Sequence, residues 1–360
     1  MTVLNTADIL AQEGFRTAST MKDRVIEAAR LFNEGMTGKP FARARLTEAF
    51  STSDFPVTLS KAFDVETIQH FKDYTPEWTG FVDEFKVADF RPKKLRDLFG
   101  DNEFLDVAEG EEYKAGTLDE TEYEIRAAKT GRSYGLTWEL MLNGDFTELA
   151  QLPKRLGNAA RKKEDQAVFS QLVTATGPNT GFFKGETAPE SKPLNADNLQ
   201  QAIEKIVVRE KYDGELVDAT NLVLVVPPAL QFKAKQILAV TELEVTDGNK
   251  KVKIPNPFAG LVTLIVSRNL QRIDKSAKAA GTWYVLPAKG SENPALGKAT
   301  LVGHETPDIR VKRDQGQSVG GGDIPIEEGS FKDDSIWYRG RHVTGGATLM
   351  PYATYVSTGA

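Results

Sequence analysis

The chain has 360 residues, of which 40% are hydrophobic, 27% charged and 9% aromatic, with a formal net charge of −6. That is enough apolar material for one large domain or two to three lobes, and an acidic balance argues against a dedicated nucleic-acid binder, which presents a basic face. With no cysteine, disulfides, cysteine zinc sites and thiol nucleophiles are excluded.

The opening "MTVLNTADILAQEGF" lacks the basic-then-apolar pattern of a secretory signal. No apolar run approaches the roughly 18–20 residues that a membrane span needs. A soluble chain made in a cytoplasm, without membrane contact, is expected. Residues 1–52 read as an arm. Within it "TMKDRVIEAARLFNEG" is an amphipathic helix with Met21, Val25, Ala29 and Phe32 on one face and Gly35 at its end. One short helix cannot form a core alone, so this stripe is expected to rest on something else. Phe55, Phe63, Phe71, Tyr74, Trp78, Phe81 and Phe85 follow and read as helical packing material.

Residues 86–132 are unusually charged and alternate like a β-ribbon. Tyr123, Ile125 and Ala127 point one way, and Glu122, Glu124 and Arg126 the other. The charges are segregated. Arg91, Lys93, Lys94 and Arg96 are basic; Asp101 to Glu124 holds ten acids, among them Glu109, Glu111, Glu112 and Glu120, against the single Lys114. Such blocks suit either a solvated hairpin or a surface on which copies dock in register.

"SYGLTWEL" closes the ribbon as a strand. Pro153 then sits in the first turn of a long helix, "LPKRLGNAARKKEDQAVFSQLVTAT", with a stripe of Leu152, Leu156, Ala159, Ala160, Ala167, Val168 and Leu172. Lys154, Arg155, Arg161, Lys162 and Lys163 make its first half basic, suited to a solvated face or to non-specific polyanion contact. A helix from Ala196, capped by Asn195, turns Leu199, Ala202, Ile203 and Ile206 inward. "KYDGELVDAT" reads as a boundary. Beyond it the rhythm is α/β: "NLVLVV", "LVTLIVS" and "TWYVLPA" are strands, "PPALQFKAKQIL" is a helix, and a hairpin turns at Asp247-Gly248. A Gly-rich loop surrounds Gly320, and the chain closes with a two-stranded pattern around Gly345-Gly346.

No constellation for catalysis emerges. His70, His304 and His342 have no metal-ligand spacing, and neither GxSxG nor GxxxxGK[ST] occurs. No catalytic residue, cofactor or metal is assigned.

The order of several pieces carries a resemblance. "TSDFP" (Thr52–Pro56), "VADFR" (Val87–Arg91), "EGEEYKAG" (Glu109–Gly116), "ELMLNGDF" (Glu139–Phe146), "LGNAARKKED" (Leu156–Asp165) and "LVLVVPPAL" (Leu222–Leu230) follow one another. Together with "NPFAGLVTLIVSRNL", "WYVLPA" and "GRHVTGGATLMPYATYVSTG", they resemble the major capsid proteins of tailed bacteriophages, in the Mu-like major head subunit branch of the Hong Kong 97 fold. The resemblance implies an α+β subunit: an N-terminal arm (1–52), a peripheral P domain (53–85 and 133–215, with the long spine helix), an extended E-loop hairpin (86–132), an axial A domain (216–332) and return strands (333–360).

It further implies self-assembly into hexamers and pentamers of an icosahedral shell around double-stranded DNA, built in a bacterial cytoplasm and present in the virion. A portal, a decoration protein and, with the arm expected to be retained, a separate scaffolding chain are implied as partners. The expected contacts between subunits are Met21, Val25 and Phe32; Arg91, Lys93, Lys94 and Arg96 against Glu109, Glu111, Glu112, Glu120, Glu122 and Glu124; and Tyr123 with Ile125. Lys154, Arg155, Arg161, Lys162 and Lys163 would face the DNA. An encapsulin-type nanocompartment shell shares the fold, and a hydrolase with dispersed carboxylates is the reading from another class.

Overall fold

Strands whose residues are apolar on both faces need a core on each side, and the centre of the computed structural model is built that way. The structure describes residues 4–11, 19–37, 39–50, 55–100, 118–137, 139, 143, 146–211, 214–239, 242–247, 250–255, 258, 260–312, 319 and 335–359. They group into two compact units. The first joins residues 1–75, 129–163 and 303–343; the second joins 76–128, 164–302 and 344–360. The stretch expected to mark a boundary, 211–220, lies wholly inside the second unit.

In the second unit a four-stranded sheet runs in the order Val262–Val266, Leu222–Val226, Trp283–Pro287, Tyr355–Ser357. Val262 pairs with Leu222 in a parallel ladder, and the other two pairings are antiparallel. Every residue of Leu222–Val226 and Trp283–Pro287 is buried. Side chains alternate across a strand, and the two cores divide accordingly. Leu222, Leu224, Val226, Trp283 and Val285 join Leu199, Ala202, Ile203 and Ile206 of the helix Ala196–Val207. Val223, Val225, Tyr284 and Leu286 join Phe81, Val168, Phe169 and Leu172. The expected Asn195 cap is present, its side chain accepting from the Asn198 amide at 2.7 Å.

A second sheet of this unit pairs Asp83–Val87 in parallel with Leu296–Leu301, which in turn pairs with Thr344–Thr348. Here the structure corrects a reading. Gly345 and Gly346 make no turn; they lie inside one continuous strand, Ser335–Thr348. Their role is close approach, because a Cβ on Gly345 would stand 1.9 Å from the Arg126 carbonyl oxygen, and one on Gly346 2.3 Å from that of Ala167.

The two acids that end "KKED" are buried in this unit. Glu164 Oε1 lies 2.9 Å from Lys298 Nζ, which also sits over the Trp78 ring. Asp165 accepts from the Glu77 amide at 2.9 Å, while the Glu77 carboxylate accepts from Ser267 and Asn269. A buried charge so paired is costly to unpair, by about 3–5 kcal/mol when one partner is removed.

The first unit overturns the reading of residues 1–52 as an arm without a core. Helices Thr6–Ala11, Ser19–Gly35 and Pro40–Phe50 pack with Phe55–Asp73. Val25 and Phe32 are fully buried and Met21 is half-buried against them. Phe32 meets Phe63 edge-on at 5.7 Å and Phe146 at 6.4 Å, and Phe63 meets Tyr338 at 5.8 Å. The stripe is therefore covered by its own chain. Three short helices together offer what one could not, and Gly35 lets two of them close up, since a Cβ there would fall 2.4 Å from Leu46. Asn33 clamps Leu4 through both its amide and its carbonyl, each at 2.8 Å.

Two outcomes are expected. Phe32→Ala should destabilise the isolated subunit by about 3–5 kcal/mol, read by denaturant unfolding; an uncovered stripe would give almost no change. Asp64 is the second case. Burial pushes its carboxyl up to about 6, opposed by the hydrogen bond it accepts from the Ile309 amide at 2.8 Å and assisted by nearby Asp308. Its folded value exceeds its unfolded one, so the folded chain holds a proton there that the unfolded chain has released, and stability should fall as pH rises from about 4 to about 6. Asp64→Asn keeps the acceptor and should flatten that part of a stability–pH profile. The burial-raised Glu66 contributes in the same direction and serves as the internal comparison.

Candidate assembly surface

Lys93–Gly100 and Leu118–Ile125 pair antiparallel through eight rungs, from Lys93↔Ile125 to Gly100↔Leu118. With a period of two, even-numbered residues share one face and odd-numbered residues the other. Lys94, Arg96, Glu120, Glu122 and Glu124 fall on the even face. There Lys94 Nζ lies 2.5 Å from Glu122 Oε2, and Arg96 reaches Glu120 at 3.2 Å and Glu122 at 3.4 Å. Their hydrogen bond holds the Lys94 ammonium above its ordinary range and the Glu122 carboxyl below its own.

The basic and acidic blocks thus meet across one hairpin. Lys94, Arg96, Glu120 and Glu122, expected to pair with a neighbouring copy, have partners within the same ribbon in the single chain, because the register sets them opposite or diagonal to each other. Lys93 is separated from Lys94 by the same alternation. It is exposed on the odd face, with Leu95 and Tyr123 half-buried beyond it. Arg91 is exposed and 3.8 Å from Asp89, whose side chain also accepts from the Arg91 amide. Glu109, Glu111, Glu112 and the loop around Gly320 lie outside the described residues.

The ribbon is anchored at its Ile125 end. Ile125 and Ala127 are buried, and a Cβ on Gly297 would stand 3.0 Å from the Phe85 ring and 3.1 Å from Ile125 Cδ1. Glycine at 297 makes room for that seat. Ile125 is therefore an internal anchor, a further correction to its reading as a contact between subunits.

Along the helix Leu152–Leu172, Lys154, Arg155, Lys162 and Lys163 are exposed. Arg161 is not available in the same way. Its Nε donates to the Phe71 carbonyl at 2.8 Å and its guanidinium covers the Phe71 ring at 3.7 Å, while His342 packs edge-on at 5.2 Å. This side chain ties helix to helix within the first unit, which corrects its reading as a DNA contact.

A group of cations went unrecognised in the sequence. Lys129, Arg132, Arg339 and Arg341 line one groove of about 540 Å³ in the first unit, with Gly131 and Gly340 between them. The signal was a repeated triplet, Gly-Arg preceded by a basic or polar residue, in "KTGR" and "YRGR". The two segments are far apart in sequence and only strand pairing unites them. Among the described residues no group of three or more His, Asp or Glu side chains could hold a metal ion, and no helix is long and apolar enough to cross a membrane.

Compared with known proteins, the chain matches a family model described as phage capsid protein over residues 120–357. No curated protein matches it. Among solved structures it is similar to the asymmetric unit of the bacteriophage PhiM1 mature capsid, at 12% identity over 80% of this chain and 88% of that one, with a TM-score of 0.48. The capsid of cyanophage P-SCSP1u is similar at 14% identity, covering 78% and 86%, with a TM-score of 0.47. A virus-like particle from Pyrococcus furiosus is similar at 9% identity, covering 82% and 97%, with a TM-score of 0.41. The family match takes in about two thirds of the chain.

The ladder yields a direct expectation. Lys94→Glu should loosen the hairpin and raise hydrogen exchange over residues 93–96 and 120–125, measured by mass spectrometry on the free subunit. Adding Glu122→Lys to the same chain should restore protection. Restoration only on mixing two singly substituted chains would mean that the pair forms between copies.

Proposed function

The chain belongs to the phage capsid protein family; it is a shell-building subunit of a virion and not an enzyme, and from that premise we propose how it assembles. It builds an icosahedral shell, and we infer that it does so as hexamers and pentamers around double-stranded DNA, in the Mu-like branch that the order of its motifs resembles. The observation that carries this is the family match across residues 120–357, which takes in most of the second ribbon strand, the long helix and the whole four-stranded sheet of the second unit.

The ribbon supports a role between copies. It is eight rungs long, and beyond the seat at Ile125 its described odd face is only half-buried at Leu95 and Tyr123. An isolated two-stranded hairpin is marginally stable in water, so a surface that lies along it gains a preformed edge and lends it support. Tyr123, Leu95 and Lys93 are the side chains we assign to that contact, together with Arg91 at the turn. Rim charges of this kind set register and encounter more than affinity. Stability of the shell then rests on many repeated contacts, since one exposed ion pair contributes only about 0–1 kcal/mol.

The exposed Lys154, Arg155, Lys162 and Lys163 remain our choice for non-specific contact with packaged DNA. A separate scaffolding chain, a portal and a decoration protein complete the proposed set of partners, with assembly in the cytoplasm of a bacterial host.

Size-exclusion chromatography with electron microscopy tests the reading. Purified protein, with its scaffolding chain where required, should elute in the megadalton range and show closed shells. Elution only as a species of about 40 kDa under all such conditions would overturn it, and shells filled with protein instead of nucleic acid when isolated from cells would replace it with a nanocompartment.

A further inference from the structure

The basic groove of the first unit has a charge that the described residues leave largely unanswered. Arg341 is satisfied: Asp308 takes it in a two-point grip, Nε to Oδ1 at 3.0 Å and Nη2 to Oδ2 at 2.9 Å. Among the described residues, no ion pair engages Lys129, Arg132 or Arg339. All three are exposed and line the same groove of about 540 Å³. Its floor is glycine. A Cβ on Gly131 would stand 2.5 Å from the Gly340 carbonyl oxygen, so the strands close up there and leave no side chain between the two basic pairs.

The sequence contains a segment of matching charge. Asp101–Glu112 holds six acids, Asp101, Glu103, Asp106, Glu109, Glu111 and Glu112, and no base. It lies outside the described residues, and its charge is a fact of sequence alone. The described cations nearest to it along the ribbon, Lys94 and Arg96, are occupied by Glu120 and Glu122. It also begins directly after the last rung, Gly100↔Leu118. Seven residue steps, roughly 24 Å of strand, separate that rung from the Lys93 rung beside the Ile125 seat.

We propose that the groove of one copy receives the acidic run Asp101–Glu112 of a second copy. This rests on the shell reading and gives it a specific contact. Guanidinium forks and carboxylates match in shape as well as charge. The acidic run is supplied at one per groove and, within a shell, at the high effective concentration of a tethered partner. A nucleic-acid backbone would also suit three cations that no described residue pairs with, but the overall charge of −6 opposes it and the chain carries its own complementary segment. The pairing replaces the assignment of Glu109, Glu111 and Glu112 to Arg91–Arg96.

The test uses the full chain, a labelled peptide spanning Gly100–Gly116, the same peptide with Glu109→Lys, Glu111→Lys and Glu112→Lys, and a short DNA duplex. The acidic peptide should bind the wild type, and Arg132→Glu with Arg339→Glu should weaken it by about tenfold or more. The reversed peptide should bind that variant in preference to the wild type, a gain that a misfolded variant cannot show. Equal binding of the acidic peptide to both proteins, or loss of duplex binding alone, overturns the proposal, the latter in favour of a nucleic-acid groove.

In assembly, the Arg132→Glu/Arg339→Glu chain should fail to close shells, and adding the three Glu→Lys changes to it should restore them. Wild-type shell yield from the groove variant sinks the groove contact and leaves the shell reading intact. A wild type that never forms shells sinks the shell reading, and the peptide titration then decides the groove by itself.

Discussion

A two-stranded ribbon has no core of its own, so what faces each residue across the pair must hold its register. Here that is the ladder of Lys94, Arg96, Glu120 and Glu122 on one face and the seat of Ile125 beside Phe85 and Gly297 at one end. Slipping the pairing by one residue would carry the acids to the opposite face and take Ile125 out of its seat. The ladder matters less for its energy, which is small for exposed pairs, than for what it excludes. Cations engaged inside the ribbon have less to offer a neighbour.

The body that carries the ribbon is fixed by a different economy of groups. In the second unit two apolar cores lie on opposite sides of one sheet, and strict alternation in "LVLVV" assigns each residue to one of them. Charged groups are paired where they enter that interior, as with Glu164 and Lys298 or Asp165 and the Glu77 amide. In the first unit the phenylalanines of four separate segments, Phe32, Phe50, Phe63 and Phe146, meet in one cluster. Densely packed units of this kind suit a shell, which requires many identical folds meeting one another.

Periodicity by itself determined much of this molecule: the long helix from Leu152, the Asn195-capped helix and its four inward residues, the buried strands, and the alternation of the ribbon. These are local properties, set by 3.6- and 2-residue repeats and by capping chemistry, and they need no knowledge of distant chain. The order of motifs likewise pointed to the capsid family. Tertiary structure alone decided who meets whom. It folded the stripe of Val25 and Phe32 onto Phe63 and Phe146, turned Gly345 and Gly346 from a supposed bend into a place where backbones touch, engaged Arg161 with Phe71, and brought "KTGR" beside "YRGR" some two hundred residues away. Each depends on a pairing between distant segments, and a one-dimensional pattern carries the shape of each face but not the identity of the surface that covers it.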